Sequence, residues 1–429
     1  MLSPAETDLV RRDRSLPGLG TVLDPDAFIA ALRRAAPAAD PTAAQITYLR
    51  YKPQVYCRVA YRLELGETEL DVDVRACRPE HLSQWREVEE RPSPPGSLGP
   101  GRIVLEDCAV VLNVFPNDLK LPQLQHLTDP VKRQPLLREL LPDRPDLWEG
   151  QLRCLRYRPE RRYVAEFLSA NSARAILKCY TRKAYARSKH NARAFQSSGL
   201  LQIARPLGFS DSRRVIAYEW MSGRKLMDLC LAPGLDCDAV NATGAALAML
   251  HAQRPDGLDC WTRVAESADL ASLSSELGFI CPHLARHADD LARRLAARLT
   301  GAPALHCPVH GDFSANQVLV DGQKVAIIDL DWACHGDPAD DLGNFIAQTE
   351  RFSLRGELSS SRVEMLRGVL LEGYARATKL PLPERIGLYT AVQLFRRTRF
   401  PFRAREPDWP QRTESLLERA QALFNSLNQ

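Results

Sequence analysis

Twenty residues constrain this chain more than any others: His310-Gly311-Asp312-Phe313-Ser314-Ala315-Asn316-Gln317, the apolar run Val318–Val320, Asp321-Gly322, and a second apolar run Val325–Ile328 that ends on Asp329. An Asp-Gly pair between two short apolar runs is a strong hairpin signal. Closing that hairpin brings the loop before the first strand next to the aspartate after the second. Asp312, Asn316 or Gln317, and Asp329 are therefore expected in one place. Phosphoryl transfer needs such a set: a carboxylate to orient the accepting hydroxyl, and oxygen ligands for a Mg²⁺ that bridges the β- and γ-phosphates.

The rest of the chain reads as two β-rich units followed by a helical one. Leu49-Arg50-Tyr51-Lys52-Pro53 with Cys57–Tyr61, and Leu155-Arg156-Tyr157-Arg158-Pro159 with Tyr163–Phe167, both read as strand, turn, strand. A further β-like run follows each, Leu70–Cys77 and Ala173–Tyr180, and then a polar, helix-compatible stretch. The pattern is a duplicated small-lobe unit. Pro92–Gly101 reads as a connector loop, followed by strands at Arg102–Leu105 and Ala109–Val114, with short helices between 116 and 145. Beyond Leu200 come strands near Gln202–Pro206 and Arg214–Trp220. Asp238–His251, Leu284–Leu299 and Arg362–Thr378 then carry helical i, i+3, i+4 apolar spacing.

His310-Gly-Asp312 through Ile328-Asp329, with Gly336-Asp337-Pro338-Ala339-Asp340-Asp341-Leu342, resembles the aminoglycoside phosphotransferase and choline kinase family. The resemblance implies an α+β, protein-kinase-like two-lobed fold, a small β-rich lobe before a large helical one, here preceded by an extra α+β domain. It makes Asp312 the catalytic base, His310 the residue bracing that loop and Asp329 a Mg²⁺ ligand. Asp341 becomes the buried carboxylate that pins the following helix to the active-site loop. Asp337 also suits an N-cap, with Pro338 in the first helical turn. Five positions after Asp312, where the family places its second metal ligand, an Asn, this chain has Gln317; Asn316, one earlier, is the alternative.

Ala175-Ile176-Leu177-Lys178-Cys179-Tyr180 matches the strand whose lysine contacts the α- and β-phosphates. The helical Glu that usually pairs with it is missing, since Asp211 is the only carboxylate between Phe167 and Tyr218. The loop Leu168–Ser172 has no glycine, so a Gly-rich phosphate lid is absent. Arg214–Leu226 resembles the hinge, where main-chain atoms around Glu219 to Met221 would bind adenine; GTP stays open beside ATP. In the earlier unit Arg75 falls near the place of Lys178, and no catalytic loop follows it, so no second active site is expected.

The domains are then 1–145, an N-terminal α+β domain readable as a degenerate small-lobe repeat; 146–221, the kinase-like small lobe; and 222–429, the helical lobe with the catalytic and metal-binding loops. The expected function is ATP- and Mg²⁺-dependent transfer of a γ-phosphate to a hydroxyl of a small molecule. The rival, favoured by the missing Glu and the Gln317 substitution, is a non-catalytic nucleotide-binding homologue acting as scaffold or regulator. No activation-loop signature of a protein kinase follows Asp329.

Charge excludes other classes. With 57 Lys+Arg against 53 Asp+Glu the net charge is +4, too small for nucleic acid or an anionic membrane to be the main partner. Eleven scattered cysteines without a Cys-x-x-Cys pair, a polar N-terminus and the lack of an 18-residue apolar stretch point to a cytoplasmic protein. His283 and His287 read as a solvated helix face. Arg396, Arg397, Arg399, Arg403 and Arg405, among Phe395, Phe400 and Phe402, read as a solvated or ion-paired face; lining an acceptor pocket, they would suit a polycationic aminoglycoside poorly. Nothing in the sequence sets the oligomeric state or the acceptor.

Overall fold

Both Tyr-x-Pro turns close β-hairpins, and each hairpin opens a five-stranded sheet. The computed structural model describes residues 1–37, 40–84, 95, 98–378 and 381–427. It divides into two units: residues 1–185, 208–217 and 403–407, and residues 186–207, 218–402 and 408–429. Part of the Pro92–Gly101 connector, and most of the helix-compatible stretch after Cys77, lie outside the described residues.

In the first unit α1 (Pro4–Arg12), α2 (Leu19–Leu23) and α3 (Pro25–Ala35) precede β1 (Ala43–Lys52), β2 (Tyr56–Leu65), β3 (Thr68–Cys77), β4 (Arg102–Leu105) and β5 (Val110–Val114). Strand order is β1-β2-β3-β5-β4. Strict alternation puts Cys57, Val59, Tyr61 and Leu63 of β2, with Val72, Val74 and Ala76 of β3, on one buried face, where Tyr61 stacks on Phe28 of α3. The helices α4 (Leu124–Leu127) and α5 (Pro130–Leu140) follow, then β6 (Gly150–Arg158), β7 (Arg162–Ser169) and β8 (Arg174–Tyr180). Past α6 (Arg182–Ala194) and β9 (Leu201–Ile203), which belong to the second unit apart from the first turn of α6, β10 (Pro206–Ser210) and β11 (Val215–Glu219) complete a second sheet, ordered β6-β7-β8-β11-β10.

The two sheets have the same order, first-second-third-fifth-fourth. Their first turns also match: Lys52 pairs with Tyr56 and Arg158 with Arg162, 106 residues apart. At the same offset Gln54 and Glu160 both take left-handed backbone, with φ 60° and 53°. Arg58 faces Arg75 where Val164 faces Lys178, so Arg75 holds the lysine's register position. The two copies differ in the bulge of the first strand, at Ile46/Tyr48 in one and Cys154/Arg156 in the other.

The second unit contains β12 (Arg224–Lys225), α7 (Leu226–Leu231), α8 (Cys237–His251), α9 (Arg263–Ile280), α10 (Ala285–Thr300), β13 (Cys307–Val309), β14 (Val318–Asp321), β15 (Lys324–Ile327) and β16 (Cys334–Gly336). It ends in α11 (Pro338–Leu354), α12 (Ser360–Thr378), α13 (Ile386–Arg397), α14 (Phe400–Arg403) and α15 (Trp409–Ser426). Small residues set the closest helix approach: a Cβ on Gly244 of α8 would lie 2.1 Å from the Leu370 carbonyl, and one on Gly373 of α12 would lie 2.0 Å from that of Asn241. Asp337 caps α11 through the Ala339 N–H at 3.0 Å with Pro338 at the first helical position. Every residue from Pro338 to Glu350 is buried, which makes α11 the central helix of its unit. The architecture is α+β, a β-rich small lobe before a helical large one.

Candidate active site

The hairpin forms as its Asp-Gly turn requires. Val318 pairs with Ile327, Leu319 with Ala326, Val320 with Val325 and Asp321 with Lys324, and Gly322 takes φ 58° at the turn. The ladder runs one step past the strands, the Ile328 N–H donating to the Gln317 carbonyl at 2.9 Å. Gln317 is thus held beside the residue before Asp329. Asp329 itself is left-handed, at φ 68° and ψ 45°. Among non-glycine residues Asp and Asn tolerate that conformation best, and such outliers gather at functional sites.

His310 ties the two loops together. Its ring Nδ1 accepts the Asp312 N–H at 3.2 Å, so Nε2 carries the proton and donates to the Ile328 carbonyl at 2.9 Å. One side chain therefore fixes the backbone of both aspartates. Gly311 beside it takes φ 77°, and a Cβ there would lie 2.4 Å from the Trp332 carbonyl. Only glycine fits that approach.

Beneath the loop lies Asp341 of α11, fully buried. It accepts the His310 N–H at 2.6 Å, the Gly311 N–H at 3.0 Å and His251 Nε2 at 3.0 Å; His251 is in turn bonded to the Tyr374 hydroxyl at 2.9 Å. Burial pushes its pKa up, but the His251 hydrogen bond and the charges and N–H donors around it prevail, and the net shift is below the ordinary value of 3.8. The same face of α11 supports the rest of the loop at helical spacing. Asn344 Nδ2 donates to the Phe313 carbonyl at 2.7 Å, and Gln348 Oε1 accepts the Ala315 N–H at 2.9 Å.

Arg397 was legible only as part of a solvated or ion-paired arginine run. It is buried, forking onto the Asn344 side chain at 2.8 Å and the Asn344 carbonyl at 3.1 Å. Burial lowers its pKa to about 10, and the first charge holding it up is Asp312. Arg396 is ion-paired as expected, with Asp269 at 3.1 Å. In the first unit Arg405 bonds Glu6 and the Leu23 carbonyl. The helix α6 carries no carboxylate, and contributes Asn191 to the site. Its amide donates to the carbonyls of Leu330 at 3.1 Å and Ala333 at 2.9 Å, clamping the turn after Asp329. Arg187 of the same helix lies over the exposed Trp332 ring at 4.2 Å. Asp211, the one carboxylate the sequence left for Lys178, accepts the Tyr185 hydroxyl at 2.8 Å.

The predicted residues thus fall into two groups. Asp312 and Asn316 are exposed, Gln317 and Asp329 half-buried, and all belong with His310 to one constellation in the second unit. Lys178 is half-buried on β8 of the first unit, opposite Val164. Glu219 ends β11: its N–H donates to the Arg205 carbonyl at 3.0 Å and its carboxylate accepts the Arg205 N–H at 2.8 Å. Its main-chain contribution to a ligand is therefore the carbonyl. Met221 follows in the loop before β12. Asp329 and the Gln317 or Asn316 amide offer the hard oxygen donors that Mg²⁺ takes together with water and substrate phosphates. His283, in a single 3₁₀ turn before α10, is exposed, and among the described residues no group of three or more His, Cys, Asp or Glu gathers as a metal site.

Residues 165–389 match the model of the phosphotransferase enzyme family. No curated protein matches. Among solved structures, the choline kinase LicA of Streptococcus pneumoniae is 16% identical with a TM-score of 0.48, over 68% of this chain and 99% of its own. Amicoumacin kinase hAmiN, solved with AMP-PNP, Ca²⁺ and Ami, is 12% identical with a TM-score of 0.49, over 67% and 92%. An aminoglycoside phosphotransferase solved with gentamicin is 15% identical with a TM-score of 0.45, over 64% and 93%.

Proposed function

The chain belongs to the phosphotransferase enzyme family, and from that premise we propose that it moves the γ-phosphate of ATP to a hydroxyl of a small molecule, with GTP as the alternative donor. The observation that carries the reading is His310: one buried ring bonded to both the Asp312 N–H and the Ile328 carbonyl holds a base candidate and a metal-ligand candidate in fixed relation. In this reading Asp312 orients the acceptor hydroxyl and takes its proton, and Lys178 positions the α- and β-phosphates. The Glu219 carbonyl and the Met221 N–H bind adenine. Asp329 and Gln317 hold Mg²⁺, which when bound neutralises charge on the β- and γ-phosphates. Gln317 is preferred to Asn316 because its backbone is fixed at both ends, by the Ser314 carbonyl and the Ile328 N–H, each at 2.9 Å. Residues 1–145 are a degenerate small-lobe repeat, 146–221 the nucleotide lobe and 222–429 the catalytic lobe.

The test is Mg²⁺-dependent transfer of labelled γ-phosphate from ATP and GTP to a panel of hydroxylated small molecules, aminoglycosides included, beside Asp312→Asn. Transfer that falls by about 10²–10⁴ in the variant, with nucleotide binding kept, supports the assignment. Unchanged turnover sinks it. A second reading, nucleotide binding without chemistry, is favoured by one observation, a helix α6 with no carboxylate at all. It predicts nucleotide affinity with no transfer to any acceptor.

A further inference from the structure

Residues 1–145 have no catalytic loop of their own, and what they do follows from the hairpin they grip. Arg158 pairs with Arg162, and Arg156 pairs with Val164, which in turn faces Lys178. Alternation therefore places Arg156, Arg158, Arg162 and Lys178 on one face of the second sheet. At about 3.4 Å per residue, the β6–β7 turn begins about 7 Å along the strands from Lys178, whereas the 168–172 loop begins about 14 Å away in the other direction. A phosphate held by Lys178 would thus have 159–161, rather than 168–172, as its nearer turn.

Hairpin tips normally face solvent. Here Pro159 and Glu160 are buried. The Glu160 carboxylate binds Arg58 Nη2 at 2.7 Å and Lys120 Nζ at 2.8 Å. Its N–H donates to Asp118 Oδ2 at 2.7 Å, the oxygen that also accepts the Tyr157 hydroxyl at 3.0 Å. Asp118 Oδ1 accepts the N–H groups of Lys120 and Leu121 at 2.8 and 2.9 Å. Burial opposes ionisation of Glu160, yet Arg58 and Lys120 hold its pKa at about 2. Arg158, half-buried beside Arg156, Arg162 and Arg161, has its pKa lowered to about 10, by burial first and then by these like charges. Tyr48 acts in the opposite sense, and the face as a whole is cationic.

We propose that residues 1–145 clamp the β6–β7 turn, Arg58, Asp118 and Lys120 positioning it so that Arg158 and Arg162 meet the phosphates of the nucleotide that Lys178 contacts. Arginine side chains then do what glycine backbone amides do in a Gly-rich lid. This rests on the nucleotide-dependent reading above.

The test is binding of Mg·ATP and of adenosine to the full-length wild type, Arg158→Gln/Arg162→Gln, and Lys120→Met, whose side chain is 61% exposed and tolerates replacement. Both variants should lose roughly tenfold or more in ATP affinity, the worth of a charge-assisted contact, while adenosine affinity stays unchanged. A wild-type ratio of ATP to adenosine affinity in either variant overturns the clamp and leaves the functional reading standing. A wild type that binds no nucleotide overturns both.

Discussion

Asp341→Asn tests whether the buried carboxylate is what holds the catalytic loop. Asp341 meets three donors: the His310 and His251 hydrogens on Oδ2, and the Gly311 N–H on Oδ1. An asparagine keeps one oxygen, so its least costly placement leaves an NH₂ against the Gly311 N–H. Losing one charge-assisted bond and facing donor to donor should cost about 2 kcal/mol, a fall of about 4–8 °C in thermal midpoint for a unit of this size. Because the His310–Asp312 loop shifts with it, transfer should fall by about 10². The pH dependence separates this from a generic core defect. The native pKa of Asp341 lies below 3.8, so its contribution is fully present above that value and is lost as pH falls through the native pKa. The gap between wild type and variant, followed by thermal denaturation, should be constant from pH 5 to 8 and close below about 3.8. No gap at pH 7, or an equal gap at pH 3, refutes the reasoning.

Mg²⁺ titration of Gln317→Ala and Asn316→Ala should show a raised metal requirement in the first alone; the reverse pattern shifts the ligand to Asn316. Arg397→Lys loses the fork onto Asn344, so kcat should fall more than nucleotide affinity; an unchanged kcat makes the fork incidental. Asp340, buried on α11 near Arg396, has its native pKa raised to about 7 by burial. The unfolded state releases that proton near 3.8, so stability drains as pH rises from there to about 7. Asp340→Asn should flatten this slope in a pH series of denaturation midpoints; an unaltered slope places the titration elsewhere.

What was legible in the sequence is what is written contiguously. Asp321-Gly322 marks its own hairpin, Asp337-Pro338 its own helix start, and the two Tyr-x-Pro turns their own strands. His310, Asp312 and Asp329 lie within that same short run. The bracing residues carry no such local mark. His251 is 90 residues from Asp341, Asn191 is 139 from Leu330, and Arg397 is 53 from Asn344. Each acts through a contact that only tertiary packing creates. Arg397 was further masked by its neighbours, because a run of arginines reads as one surface although Arg397 is buried. Which turn lies nearer Lys178 is hidden for a related reason: strand spacing cannot tell one end of a hairpin from the other, and only the register puts 159–161 nearer than 168–172.

The two sheets repeat a topology with different charges at matching positions. In the first, the register position of Lys178 is Arg75, whose guanidinium lies over the Tyr56 ring at 4.6 Å. Beside it the buried Arg58 meets Asp73 at 3.1 Å and Glu160 at 2.7 Å. A buried guanidinium is tolerated only when its charge is met, and the anion that meets it here is supplied by the hairpin turn of the second sheet. Neither sheet is self-sufficient: without Glu160, the ion-pair partner left to Arg58 among the described residues is Asp73, whose pKa burial already raises to about 7, and without Arg58 and Lys120, Glu160 is a buried carboxylate lacking its cations. The charge that meets Arg58 of the first sheet is also the one that anchors the hairpin turn of the second.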